Sequence, residues 1–231
     1  TKTAEFIDER IKIINGELWV FYTDGKSQNL GSIGGTDDTQ DVQYLTFSIL
    51  PDGTLSVDIQ EQYKNVVESI TVPRQYNGRT VTVVADNGFQ NCIYLKEINL
   101  PDSITTIGNN AFKGCSALEI VDNLPDSITT IGTFAFSECT SLTKIKVPKS
   151  VEILPSGFAS QCSLLSELEL QEGLKRIEAR INYNRVNTDP IKRIKIPSTV
   201  EYIVSDFSVL YVEEIYFVDP NGWTRGLESF N

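Results

Sequence analysis

The stretch that decides the fold is Ala111-Phe112-Lys113-Gly114-Cys115-Ser116-Ala117-Leu118, because its pattern Phe-x-x-Cys-x-x-Leu recurs along the chain. The four cysteines stand at positions 92, 115, 139 and 162, which are 23, 24 and 23 residues apart. A fixed period in the twenties is typical of a solenoid, in which each repeat buries its apolar side against its neighbours. The spacing therefore predicts a repeat protein and argues against an enzyme.

Each repeat also contains an alternating segment that predicts a short β-strand. Ile98-Asn99-Leu100-Pro101 is the clearest copy, and Ile145, Leu168 and Ile194 begin its counterparts. Alternation of apolar and polar residues is the period of a strand, and proline ends it by withholding a backbone donor. We expect these strands to stack as a parallel sheet about 4.8 Å apart, with right-handed crossovers. We expect the Phe-x-x-Cys segment to form a single helical turn on the opposite side.

Two copies depart from the repeat. The segment from Leu118 to Pro125 is one residue longer than its counterparts. Because forcing Asp122 inward would bury a charge, we expect a bulge at Asp122-Asn123. Between Ile177 and Ile194 the chain uses 17 residues where the three preceding repeats use 14, and residues 182–187 replace the Phe and the Cys.

The pattern divides the chain into two parts. We assign residues 1–41 to a β-hairpin module, turned at Asn15-Gly16, with a polar connector. We assign 42–231 to the repeat domain, with an amino-terminal cap at 42–78, repeats at 79–204, and a last repeat with a carboxy-terminal cap at 205–231. Caps are expected because a solenoid must close the ends of its core.

Composition excludes several classes of function. The net charge of −11 argues against nucleic acid or an anionic membrane as the partner, since both attract basic proteins. The absence of histidine removes the commonest general base and the usual zinc ligand. No apolar run is long enough to span a bilayer. Because the first residue, Thr1, is not methionine, we expect a mature terminus from which a signal peptide has been removed.

The repeated motif resembles a known family. Ala111-Phe112-x-Gly114-Cys115-x-x-Leu118 and its copy at Ala135-Phe136-x-x-Cys139, with Leu-Pro-x-Ser-Ile-Thr-x-Ile-Gly between them, are similar to the BspA-like leucine-rich repeats of bacterial surface proteins. The resemblance covers residues 43–220. It implies a right-handed, β-dominated α/β solenoid of horseshoe shape, secreted or displayed on the cell surface. It also implies adhesion, through binding of host matrix proteins or aggregation between cells, and it carries no catalytic motif.

The cysteines could hold zinc, form disulfides or remain free. Equivalent positions of a solenoid lie along a line, whereas a Cys₄ zinc site needs four thiolates converging on one ion, so we predict no metal. Disulfides between neighbouring repeats fit the allowed Cα separation, but parallel side chains point the same way. We therefore predict four buried free thiols, although an exported protein would normally pair its cysteines.

The outward positions of the strands are the candidate binding residues. Their charge alternates in sign from one strand to the next, over Lys144 and Lys146, Glu167 and Glu169, and Arg193 and Lys195. One interpretation is a patterned concave face for a charged ligand, and the other is a face whose charges neutralise each other.

Aromatic residues are concentrated near the carboxy terminus, and these are Tyr183, Tyr202, Tyr211, Tyr216 and Trp223. Tyrosine and tryptophan are enriched at binding hot spots, and we take Tyr216 and Trp223 as contact candidates. The alternative is that these aromatics only seal the last repeat.

Three functions fit this pattern. The first is a non-enzymatic bacterial protein, on the surface or secreted, that binds an extracellular protein or glycan through its repeats, with no cofactor. The second is a targeting module of a carbohydrate-active surface enzyme, for which Glu167 and Glu169 would have to serve as a carboxylate pair. The third is a structural spacer. The oligomeric state and the ligand stay open.

Overall fold

The structure is a computed structural model that describes residues 11–14, 17–21, 27–32, 41–178, 191–204 and 212–217, with side chains described over 41–178 and 194–204. In these ranges the chain is almost entirely β-strand and turn. Helical residues within them are confined to two short 3-10 helices, Val42–Tyr44 and Glu61–Tyr63.

The amino-terminal strands form a separate antiparallel sheet. Strands β1 (Ile11–Ile14), β2 (Glu17–Phe21) and β3 (Ser27–Ser32) pair in the order β1-β2-β3. The hairpin predicted across Asn15-Gly16 is confirmed, since Ile14 pairs with Glu17. Strand β3 extends into the segment predicted to be a connector.

The second hairpin starts the larger sheet. Strands β4 (Leu45–Ile49) and β5 (Leu55–Ile59) are antiparallel, and β5 pairs in parallel with β8 (Arg79–Val84). Along the chain, β6 (Ser69–Thr71) and β7 (Gln75–Tyr76) lie between β5 and β8, and β7 pairs with β8. The hairpin therefore covers the first repeat strand of this sheet, which is the position of a cap.

From residue 69 onward each repeat contributes two strands. The first strands of the repeats are β6, then β9 (Glu97–Asn99), β11 (Ile120–Val121), β13 (Lys144–Lys146), β15 (Glu167–Glu169), β17 (Ile191–Ile196) and β19 (Val212–Phe217). The second strands are β8, then β10 (Thr106–Ile107), β12 (Thr130–Ile131), β14 (Ile153–Leu154), β16 (Arg176–Ile177) and β18 (Tyr202–Ile203). All pairs between successive repeats are parallel, so the predicted parallel stacking is confirmed.

Each series of strands is interrupted once. The first series divides into β6-β9 and a five-stranded sheet, β11-β13-β15-β17-β19, which we call the charged sheet. The second series divides between β12 and β14. At that position Gly108 and Gly132 each donate their N–H to the preceding repeat, whereas the fourth repeat has Pro155, which has no N–H to donate.

The inward positions of both strand series form one continuous core. It includes Ile98, Val121, Ile145 and Leu168 from the first strands, all at most 5% exposed. Phe89, Phe112 and Phe136 stack behind them, with centroids 5.4 and 5.2 Å apart and ring planes within 13° of parallel. Because each ring contacts only the rings of adjacent repeats, the stack couples one repeat to the next.

The fourth repeat fills the same space with its residues exchanged. Where the second and third repeats have Ala-Phe, it has Phe158-Ala159, so its phenylalanine stands one position earlier. The ring of Phe158 lies 5.5 Å from that of Phe136 and is turned by 71° to it. Both residues remain fully buried, which shows that the core accepts the exchange because its total volume is preserved.

The Phe-x-x-Cys segment differs from the expected helical turn. It consists of consecutive β-turns, such as those closed by Gln90 N–H to the Asn87 carbonyl and Cys92 N–H to the Phe89 carbonyl. The backbone has a positive φ at two positions of each repeat. The first is five residues before the cysteine, at Asn87, Asn110, Phe134 and Gly157. The second is directly before the cysteine, at Asn91, Gly114, Glu138 and Gln161. A right-handed helical turn cannot contain left-handed residues, and this conformation turns the segment's N–H groups toward the next repeat.

The four cysteines lie inside this core as free thiols. Cys115, Cys139 and Cys162 each donate their S–H to the backbone carbonyl of the phenylalanine in the preceding repeat, at 3.0–3.2 Å; the acceptors are Phe89, Phe112 and Phe136. Hydrogen bonding to Cys92, followed by burial, raises the pKa of the Cys115 thiol well above its usual range. A thiol that stays protonated in an apolar core is chemically inert.

We expect a thiol-specific colorimetric reagent to detect no cysteine in the native protein and all four after unfolding in denaturant without reductant. The reason is that reaction requires an accessible thiolate. Two thiols or none in the unfolded protein would contradict the assignment of four free thiols, because each disulfide removes two.

Candidate binding face

The charged sheet presents its outward side chains on strands that are in register. Lys144 pairs with Glu167, and Lys146 with Glu169, while the intervening Ile145 and Leu168 are buried. Strand alternation thus places all four charged side chains on the same exposed face. The predicted grouping of these four residues matches their positions in the structure.

Charges of opposite sign are close enough to interact across this face. Lys144 Nζ lies 3.6 Å from Glu167 Oε2 and 4.0 Å from Asp122 Oδ2, and Lys146 Nζ lies 3.7 Å from Glu169 Oε1. All of these side chains are at least one-third exposed, so the pairs are screened by water. The pairing supports local neutralisation but leaves the groups accessible to a ligand.

The face continues along the next two strands of the charged sheet. Arg193 pairs with Glu214, and Lys195 with Tyr216, in the register of β17 and β19. Lys195 is exposed, while Ile194 and Ile196 on either side of it are buried. The backbone register therefore places Arg193, Lys195 and Tyr216 beside the four residues of β13 and β15. Trp223 lies outside the described residues.

The aromatic residues do not form a single cluster in the described part of the chain. Tyr202 lies on β18, in the second series of strands, whereas Tyr216 lies on β19 of the charged sheet. The Arg176 guanidinium lies over the Tyr202 ring, 4.6 Å from its centroid. Tyr202 thus has a local partner of its own. Tyr183 and Tyr211 fall outside the described residues.

Glu167 and Glu169 lie two positions apart on one strand and face the same way. Gln171 donates to Glu169 at 3.0 Å, and each carboxylate is close to a lysine of β13. A glycosidase needs its two carboxyl groups on opposite sides of the scissile bond, which adjacent positions of one strand do not provide. Within the described residues, no group of three or more acidic or cysteine side chains could hold a metal ion.

One exposed apolar side chain on the first-strand face was missed by sequence reasoning. Ile120, on β11, occupies the outward position that Lys144 and Glu167 hold on the next strands, and it is 52% exposed. Its signal in the sequence is that a position with a charged residue in neighbouring repeats carries isoleucine here.

Acidic side chains also brace the turns that follow the first strands. Lys149 Nζ lies 2.7 Å from Asp126, and its hydrogen bond lowers the pKa of that carboxyl group. Glu172 accepts hydrogen bonds from Ser198 N–H and its hydroxyl, at 3.2 and 2.9 Å, which lower the pKa of Glu172. These contacts join successive repeats, so their role is structural.

A double-mutant cycle on Lys146 and Glu169 measures how strongly the exposed pairs interact. We expect a coupling free energy of about 0.2–1 kcal/mol, because an exposed ion pair gains little in water, and we expect it to shrink in high salt. The cycle needs urea unfolding of the two single alanine variants and the double variant. A coupling above about 2 kcal/mol would indicate that the face is a dedicated stabilising network.

No helix in the described ranges combines the length and apolar character needed to cross a membrane.

Comparison with known families identifies the repeats of this chain. The model of the BspA type leucine rich repeat region matches residues 82–208 in six copies. No curated protein matches the chain in sequence.

Solved structures share the fold. A leucine rich cell surface protein from Faecalibacterium prausnitzii is 25% identical, with a TM-score of 0.55, over 77% of this chain and 54% of that protein. A leucine-rich repeat protein from Eubacterium ventriosum is 20% identical, with a TM-score of 0.54, over 78% of this chain and 53% of that protein. The chain therefore spans about half the length of these two proteins.

Proposed function

The chain belongs to the BspA-type leucine-rich repeat family, and from this membership we propose that it is a non-enzymatic bacterial surface or secreted protein that binds an extracellular protein or glycan. Binding uses the exposed face of the charged sheet. The observation that carries the proposal is the in-register row of exposed, alternately charged side chains on β13, β15 and β17. Similarity to a protein named as a leucine rich cell surface protein supports the location.

The mechanism is contact at many points on a preformed surface. Parallel strands fix the outward side chains at the spacing of the repeats, so a partner meets an ordered array without first ordering the backbone. The alternating charges of this face determine which sign of charge a partner must carry at each contact. They increase the rate of association more than they add affinity. No covalent step is needed.

A paired variant tests the use of this face. Replacing Lys195 and Tyr216 with alanine should weaken binding of a ligand by at least about ten-fold, the order expected from loss of two contact residues. The melting temperature should stay nearly unchanged, because surface substitutions alter stability little. The matched control replaces Lys175, which directly precedes β16, and Tyr202 of β18, and it should keep full binding. Equal binding by both variants would place the site elsewhere.

The spacer function is favoured by one observation, the pairing of Lys144 and Lys146 with glutamates of β15. A face that neutralises itself offers no net charge to a ligand. A folded protein that binds neither matrix proteins nor polysaccharides would favour this function.

A further inference from the structure

The first series of strands opens between β9 and β11, and a cavity of about 330 Å³ lies at the opening. It is lined by Lys96, Glu97, Ile98, Glu119, Ile120, Asp122 and Asn123. This is the repeat whose segment from Leu118 to Pro125 carries one extra residue. We predicted only a bulge at this position. The extra residue instead coincides with the loss of all strand pairing between β11 and β9 of the preceding repeat.

Backbone groups that are paired at other steps are unpaired here. Lys96 N–H donates to the Glu68 carbonyl at 2.7 Å, and Thr143 N–H donates to the Glu119 carbonyl at 2.8 Å. The corresponding bond, from Glu119 N–H to the Lys96 carbonyl, is missing, and neither group has another hydrogen-bond partner in the described part of the chain. One backbone donor and one acceptor are thus left for another molecule or for water.

The side chain of Asn123 spans the opening. Its Nδ2 donates to the Ile98 carbonyl at 3.4 Å and to Asn99 Oδ1 at 3.2 Å. This amide replaces part of the missing backbone pairing, because its hydrogen bond engages the Ile98 carbonyl next to the opening. In the other repeats one outward residue separates the buried residue of the first strand from the next apolar residue, as Lys146 does between Ile145 and Val147. Here two residues, Asp122 and Asn123, lie between Val121 and Leu124, and the extra residue places Asn123 in the cavity wall.

The charges at the cavity favour a cation. Glu97 and Glu119 have no lysine or arginine within 4.0 Å among the described residues, and Asp122 has only Lys144, at 4.0 Å. Lys96 itself lines the cavity and its charge interacts with Glu119, but its Nζ is paired at 2.8 Å with Oε2 of Glu68, which does not line the cavity. Glu97 also accepts a hydrogen bond from Asn99 Nδ2 at 3.1 Å. Three carboxylates and the unpaired Lys96 carbonyl still face one lysine, so the cavity has more acceptors than positive charge.

We propose that the opening between β9 and β11 is a binding site for an arginine-bearing segment of a partner protein. A guanidinium carries five N–H donors on one plane and can bind several acceptors together. The free Glu119 N–H can receive a backbone carbonyl of the segment, and Ile120 offers an apolar contact to the residue next to the arginine. The inference rests on the proposed function for the class of partner, but it uses a different part of the molecule from β13, β15 and β17.

Small peptides test the site directly. Acetyl-leucyl-arginine amide should produce saturable shifts in the amide NMR signals of residues 96–98 and 119–123 of the ¹⁵N-labelled 231-residue chain at low salt. Acetyl-leucyl-citrulline amide has nearly the same shape without the charge and should bind at least ten-fold more weakly. Absence of saturable shifts, or equal binding of the two peptides, would overturn the proposal.

Variants separate this site from the charged sheet. Glu119→Gln should weaken binding of the arginine peptide at least three-fold, and removal of Asn123, which restores the repeat length, should abolish it. Glu97→Gln combined with Glu119→Gln tests the same point if the shortened chain does not fold. Glu169→Gln is the matched control and should leave binding unchanged. Equal loss with Glu169→Gln would contradict the site, whereas failure of the Lys195 and Tyr216 test alone would contradict only the function proposed for the charged sheet.

Discussion

Replacing Phe112 with alanine is expected to lower the free energy of unfolding by about 3–5 kcal/mol, the cost typical of removing a buried phenylalanine. Phe112 is fully buried, and its ring stacks on those of both Phe89 and Phe136, at 5.4 and 5.2 Å. Its loss therefore opens a cavity and breaks the aromatic contact between three successive repeats. Urea unfolding followed by circular dichroism measures the change.

The control is Phe134→Ala, at a phenylalanine one repeat further along. Phe134 is 43% exposed and lies beside Gly157, where its ring occupies the space that a side chain would need. We expect a loss of about 1 kcal/mol or less, as for most surface substitutions. Equal losses in the two variants would contradict the assignment of Phe112 to the central stack.

Replacing Gly132 with alanine is the second large effect. A Cβ there would overlap Asn109 N and Gly108 C, both backbone atoms of the preceding repeat. The Gly132 N–H donates to the Ile107 carbonyl at 2.8 Å, so the backbone cannot move away without losing this bond. We expect a loss of about 3 kcal/mol, at the upper end for overpacking, measured by the same urea unfolding.

Gly78→Ala is the matched control for this prediction. Gly78 has a positive φ of 73°, but a Cβ there would have no heavy atom within 4 Å. Only the left-handed conformation is then penalised, at about 1 kcal/mol. A larger loss at Gly78 than at Gly132 would show that backbone conformation, and not the close approach of repeats, limits these glycines.

The parts of the fold set by the repeated inward residues could be predicted from the sequence. Ile98, Ile145 and Leu168 recur at a fixed distance from a cysteine, and a sheet of identical strands is the arrangement that buries all of them together. The outward residues of β13 and β15 follow from the same alternation, so their grouping could be predicted as well.

The turns were harder to predict because their signal is mixed. Asn87, Asn110 and Gly157 favour the left-handed conformation, but Phe134 takes the same conformation at the equivalent position. A bulky residue there is uncommon and does not indicate such a turn. The helical spacing of Phe and Cys therefore suggested a helix, while the hydrogen bonds to the next repeat favour consecutive turns.

At the two interruptions of the strand series, the sequence indicates which repeat departs from the pattern but not which structure results. The extra residue near Asp122 marks the repeat that departs from the others, yet a bulge and an open step both accommodate one residue. Pro155 replaces a glycine whose N–H joins the repeats, and this signal could have located the second interruption. The proposed arginine site depends on the first of these, since the opening exists only where β9 and β11 separate.

The measurement that tests the central claim most directly is binding of the full chain to immobilised extracellular-matrix proteins and a polysaccharide panel over a range of salt concentrations. Saturable binding to at least one ligand, weakening as salt increases, is the predicted result, because contacts between exposed charges are screened by ions. Thermal unfolding of the same preparation shows that the protein is folded. The absence of binding to every ligand by folded protein would contradict a binding function for the charged sheet and favour the spacer function.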